Sequence, residues 1–133
     1  MRTDKREACA DLRCPEGVEI AEAAGEGYQV LNRCQGWRVV VITYAERFRR
    51  GNICCLERHM ETDEVFVLMA GQATLFLGPE GIPLDMEPFL SYNVKRAAWH
   101  AICVSEDARV LICENADTGA ENTEYKEWRE TCE

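Results

Sequence analysis

Gly51-Asn-Ile-Cys-Cys-Leu-Glu57-Arg-His59-Met-Glu-Thr-Asp-Glu64-Val-Phe-Val-Leu-Met-Ala-Gly71 is the stretch whose reading decides the fold of this chain. Asn52–His59 and Glu64–Ala70 read as two strands joined by Met60-Glu61-Thr62-Asp63. Side chains two apart on a strand share a face, so Glu57 and His59 point the same way, together with Ile53 and Cys55. The connection reverses the chain and delivers Glu64 at the start of the next strand, where a neighbouring strand about 5 Å away would bring it to the His59 imidazole. The other histidine, His100, lies in Val94-Lys-Arg-Ala-Ala-Trp-His100-Ala-Ile-Cys-Val104 and has to come from a later strand. Two imidazoles and two carboxylates suit Fe, Mn, Co, Ni or Zn as a divalent ion.

Outward from this stretch the texture stays β-rich. Tyr28–Cys34 and Trp37–Tyr44 flank Gln35-Gly36, which reads as a tight hairpin. Gln72–Leu77, Ile82–Met86, Phe89–Val94, Trp99–Val104 and Arg109–Glu114 continue the series, with Pro79-Glu80-Gly81 and Ser105-Glu106-Asp107 as turns. Nine short strands at close spacing predict an all-β sandwich or barrel with its core over about residues 27–115. Residues 3–25 suggest a short helical turn or two. Tyr125, Trp128 and Cys132 are at helical spacing, which predicts a C-terminal helix over about 121–132 with Trp128 as a packing anchor.

The length of 133 residues fits a single domain, 1–133. A net charge of −9 argues against a nucleic-acid footprint and against attraction to anionic membranes. No apolar stretch follows the charged amino terminus and no segment is long enough to span a bilayer, so a cytoplasmic location is expected. The eight cysteines (9, 14, 34, 54, 55, 103, 113 and 132) include no Cys-x-x-Cys pair, and most are expected to be small buried hydrophobes.

The spacing Gly51, five residues, Glu57, one residue, His59, four residues, Glu64, six residues, Gly71 resembles the first motif of the cupin family, with Glu57 in place of its first histidine. The second motif is Gly, five residues, Pro, one residue, Gly, two residues, His, three residues, Asn. His100 fits its histidine, whereas Lys95, Ala97 and Val104 replace its proline, second glycine and asparagine. The resemblance covers roughly Trp37 to Glu114 and implies a double-stranded β-helix, the jelly-roll barrel of the cupins, with metal in its mouth. It implies Glu57, His59, Glu64 and His100 as ligands of one divalent transition metal, or Glu57 as a general base beside the other three. A metal-dependent enzyme of isomerase, lyase or dioxygenase type follows, acting on a small organic molecule in the barrel cavity. The alternative is a non-catalytic domain that binds or senses a small molecule. A homodimer is expected by the same resemblance. Arg96 is a candidate for the rim, Tyr44, Tyr92, Phe66 and Cys55 are candidates for the cavity, and Trp99 should point away from His100.

Overall fold

The computed structural model describes residues 15–131. It holds ten strands: β1 (Gly27–Arg33), β2 (Trp37–Thr43), β3 (Cys55–His59), β4 (Glu64–Ala70), β5 (Ala73–Leu77), β6 (Ile82–Asp85), β7 (Ser91–Val94), β8 (His100–Val104), β9 (Arg109–Asn115) and β10 (Thr123–Glu127). They form two antiparallel five-stranded sheets, β1-β2-β9-β4-β7 and β10-β3-β8-β5-β6. The chain crosses between the sheets from β3 to β4, so consecutive strands are not partners there. This is the jelly-roll arrangement expected from the sequence, and its nine anticipated strands are present as β1 to β9.

Alternation explains how the layers close. Val40, Ile42, Phe66, Leu68, Val110 and Ile112 of one sheet pack on Leu75, Ile102 and Val104 of the other, forming the main core. Burying such side chains contributes about 1.5–3 kcal/mol each. A smaller cluster of Ile53, Leu56, Phe76 and Cys103 lies outside the second sheet, covered in part by Trp99 and Trp128. Among the described residues no helix is long and apolar enough to cross a membrane.

Three expectations need correction. Thr123–Glu127 is a strand and not a helix, because the free edge of β3 offers backbone donors and acceptors that Thr123 to Glu127 pair in register with His59 to Cys55. Local spacing loses to this tertiary pairing. Trp128 still anchors the segment: its ring meets Phe76 at 5.1 Å and its indole nitrogen donates to the Glu80 carbonyl. Residues 15–26 contain a turn but no helix, and residues 3–14 and Cys132 lie outside the described residues. Of the five described cysteines, all free thiols, Cys103 alone is buried, while Cys34, Cys54 and Cys113 are exposed. Cys34 sits in a hairpin, and Cys113 alternates with the inward Ile112 on β9.

Backbone geometry bears on the second motif. Phe89 and Ala97 are the non-glycine residues with positive φ, at 67° and 65°. They occupy the two positions where that motif carries glycine, so these left-handed turns form without the residue that favours them. Gly71, the last glycine of the first motif, is different. Its φ is 72°, and a Cβ there would lie 2.6 Å from the Ala108 Cα.

Opposite effects are therefore expected at these positions. Gly71→Ala should destabilise by more than about 2 kcal/mol, since strain and a backbone clash add. Phe89→Gly, at a side chain 71% exposed, should stabilise by about 0.5–1 kcal/mol, because relief of the left-handed conformation outweighs the added unfolded-state entropy. Urea unfolding with an unchanged slope would read both; a loss of stability in Phe89→Gly would refute the strain account.

Candidate functional site

Six polar side chains meet at one end of the barrel. β3 ends in His59, β4 starts with Glu64, β8 starts with His100, β10 starts with Thr123, and Glu114 is near the end of β9. Glu57 lies directly opposite His100 in the register of β3 and β8. His59, Glu64, His100 and Glu114 are all buried, while the Glu57 side chain is 39% exposed. The structure thus brings together Glu57, His59, Glu64 and His100. Glu64 reaches the imidazoles across the gap between the two sheets and not from a neighbouring strand, as simple alternation suggested.

Glu64 Oε1 is the hub. It stands 2.9 Å from His59 Nε2 and 3.0 Å from His100 Nε2, and the two rings are 5.1 Å apart. The outer nitrogens are also held. His100 Nδ1 is 3.0 Å from the Ala98 carbonyl, and His59 Nδ1 is 2.9 Å from the Thr123 hydroxyl. A carbonyl can only accept, so His100 Nδ1 carries a proton and donates it. If that ring is neutral, its Nε2 lone pair faces a carboxylate oxygen. Such an approach needs a positive charge, either a second proton on the ring or a cation among these atoms.

The donor set fits a metal on that observation. Glu57 Oε2 stands 3.9 Å from His100 Nε2, and donor atoms of Glu57, His59 and His100 lie within 4.8 Å of one another, as do those of His59, Glu64 and Glu114. Tying the outer imidazole nitrogen to a carbonyl or hydroxyl is the support that metal-binding histidines commonly have.

Electrostatics follow the same geometry. Burial opposes an ionised Glu64, but hydrogen bonds with His100, His59 and Glu114 outweigh it and hold the carboxyl well below the usual range. Burial likewise opposes charge on both imidazoles, yet the Glu64 contact raises the proton affinity of each. Burial raises that of Glu57, only partly offset by His100 and His59. Burial and the adjacent Glu64 push Glu114 up to about 7.

Behind Glu64 is a cluster that the sequence reading missed. Arg38 Nε and Nη2 donate to one oxygen of Glu114 at 2.8 and 2.6 Å, and the Tyr28 hydroxyl donates to the same oxygen. Arg38 also donates to the carbonyls of Ala116 and Thr118. A period-two reading could have found these residues. Arg38 alternates with Val40 and Ile42, and Glu114 with Val110 and Ile112, so both belong to the inward set.

A cavity of about 340 Å³ opens beside the hub, with Glu57, Glu64 and His100 at one wall and Ile42, Phe66 and Ile112 among its apolar lining. A second, of about 210 Å³, includes the polar side chains of Arg38, His59, Glu114 and Thr123. Tyr28, Arg47, Glu57, Glu64 and Tyr125 border both. Of the other candidates, Phe66 and Cys55 line the larger cavity, and Tyr44 and Tyr92 do not. Arg96 is exposed, its backbone N–H bonded to Asp63. Trp99 faces away from His100, under the cations of Arg58 and Lys126.

No family model and no curated protein matches this sequence. Solved structures do resemble it. Streptomyces Pac13, described as a nucleoside dehydratase and solved with uridine, superposes with a TM-score of 0.58 at 8% identity, over 74% of this chain and 74% of that one. A cupin-2 domain protein from Shewanella frigidimarina gives 0.51 at 16% identity, over 67% of this chain and 79% of its own. KdgF from Halomonas gives 0.52 at 16% identity, over 66% and 76%. The chain has the cupin fold.

The pH dependence of stability follows from the proton affinities. Glu57, Glu114, His59 and His100 each hold a proton more tightly folded than unfolded, so the stability they lend is present in acid and lost as pH rises through their folded values. Glu64 acts oppositely: its contribution is present above its ordinary value of 4.5 and is lost as acid protonates it. Chelator-treated protein should therefore be most stable near pH ~5 and weaken toward pH ~8. Urea midpoints measured across that range check this; stability that rises from pH ~5 to pH ~8 would contradict it.

Proposed function

We propose that the chain, acting as one cupin unit, is a metal-dependent enzyme that moves a proton on a small organic molecule held in the larger cavity. The observation that carries this reading is Glu57: a partly exposed carboxylate on the cavity wall, opposite His100 and beside the buried Glu64 hub. His59, His100 and Glu64 would hold one divalent transition metal (Fe, Mn, Ni, Co or Zn), with Glu57 as fourth ligand or as base. When bound, the metal supplies Lewis acidity toward a substrate oxygen.

The chain's own residues supply the rest. Burial raises the proton affinity of Glu57 toward the range useful for a general base, so it can take a proton from a substrate C–H or O–H and return it elsewhere on the same molecule. Returning it to another carbon is isomerisation; giving it to a departing hydroxyl is a lyase reaction. Glu64 stays ionised and orients both imidazoles. Arg38 and Tyr28 fix Glu114 behind it, so the hub keeps its position as charge shifts. Phe66 and Ile112 give one side of the cavity an apolar lining.

The dehydratase named among the similar structures has lyase chemistry of this kind and is seen with uridine. At 8% identity it supports the fold and a small-molecule cavity and does not choose the substrate. A cytoplasmic location and a homodimer complete the proposal. The outer face of the first sheet supports pairing, with Trp37 and Met69 exposed at 50% and 44%.

Elemental mass spectrometry on tag-free protein tests the metal. About one equivalent is expected, lost in His59→Ala and retained in Glu57→Gln. Absence of metal in the parent after reconstitution with each candidate ion would overturn the reading. Solvent deuterium exchange into small 2-oxo and 2-hydroxy compounds tests the base. Glu57→Gln should slow exchange by at least about 100-fold, and an unchanged rate would remove Glu57 from the chemistry.

A further inference from the structure

Arg47 is the cation at the mouth that the hub does not use. It lies on the short 3-10 turn Glu46–Phe48, between β2 and β3, and borders both the apolar and the polar cavity. Among the described residues Arg47 is exposed and makes no side-chain hydrogen bond or close ion pair, and its charge favours the ionised form of Glu57. Its guanidinium carbon sits 4.2 Å from the centre of the Phe48 ring, and Phe48 is itself buried in the core. The contrast with Arg38 is sharp. Arg38 spends its donors on Glu114, Tyr28, Ala116 and Thr118, whereas the Arg47 guanidinium lies over the Phe48 ring and its N–H groups have no protein acceptor among the described residues.

We propose that Arg47 is the anion-anchoring residue of the cavity and that the substrate is a small monocarboxylate with an apolar body. This rests on the reading of the cavity as a substrate site and deepens it. A guanidinium edge matches a carboxylate in two parallel hydrogen bonds. Ile42, Ile53, Phe66, Ile102 and Ile112 offer the body an apolar wall.

Charge selects the kind of anion. Glu57 and Glu64 together balance a divalent ion, and Glu114 is matched by Arg38. With such an ion bound, Arg47 would leave the site one positive charge in excess, which a carboxylate neutralises. A dianionic phosphate would bring a second negative charge beside Glu57 and Glu64, the two glutamates that border the larger cavity.

Calorimetric titration tests this with hexanoate and benzoate against hexanamide and benzamide, and with phenylphosphonate as the dianion. The carboxylates should bind and the amides should bind at least about 10-fold more weakly, as loss of a charge-assisted hydrogen bond requires. Arg47→Met, which keeps the stem over Phe48, should abolish that discrimination without changing metal content, and Arg47→Lys should restore part of it. Equal affinity for acid and amide would overturn the proposal, as would carboxylate binding unaffected in Arg47→Met, or tighter binding of phenylphosphonate. Failure of every carboxylate to bind at millimolar concentration would also overturn it. The same titration on metal-free protein separates the two claims. Discrimination that depends on Arg47 there would uphold the anchor even if the metal reading fails.

Discussion

Everything at the open end of this barrel depends on one carboxylate oxygen, Glu64 Oε1, held between two imidazoles. Glu64 belongs to one sheet and His59 and His100 to the other, so the contact is also a clasp across the sandwich. A buried carboxylate is tolerated only where donors or a cation compensate its lost hydration. Here the compensation comes from groups at the ends of three different strands. The main core sets the spacing of the sheets and thereby puts these groups within hydrogen-bond distance.

A second layer makes the clasp rigid. Glu114 sits beside Glu64, and two adjacent carboxyls would repel if both were ionised and unsupported. Arg38 answers this by donating twice to Glu114, with Tyr28 on the same oxygen. Arg38 is anchored in turn to the backbone of the segment before β10, through Ala116 and Thr118. That segment leads to Thr123, whose hydroxyl meets His59. Hydrogen bonds and the intervening chain together therefore tie Glu114 and Arg38 to His59. Removing one partner of such a buried charged pair typically costs about 3–5 kcal/mol, because the other is stranded.

Two turns near the site hold a left-handed backbone without glycine. Phe89 and Ala97 have positive φ, at 67° and 65°. The turn at Ala97 donates its N–H to the His59 carbonyl, linking the loop before His100 to the end of β3. Position is maintained by tertiary hydrogen bonds where local preference no longer supplies it. Glu57 shares the face of His59 and lies opposite His100, since alternation on β3 depends on the backbone and not on residue type.

By itself the sequence determined the strand series from Tyr28 to Glu114, the shared face of Glu57 and His59, and the nearness of Glu64. Period-two alternation and turn residues are local properties, and they are legible without knowing what packs where. The tertiary structure alone decided that Thr123–Glu127 is a strand, because the edge of β3 and not the helical spacing of Tyr125 and Trp128 settled its pairing. It alone put Glu64 across the sheet gap from His59, and it alone brought Glu114 of β9 to Tyr28 and Arg38 of the first hairpin. Such groupings arise from how two sheets superpose, and no window of sequence contains that information.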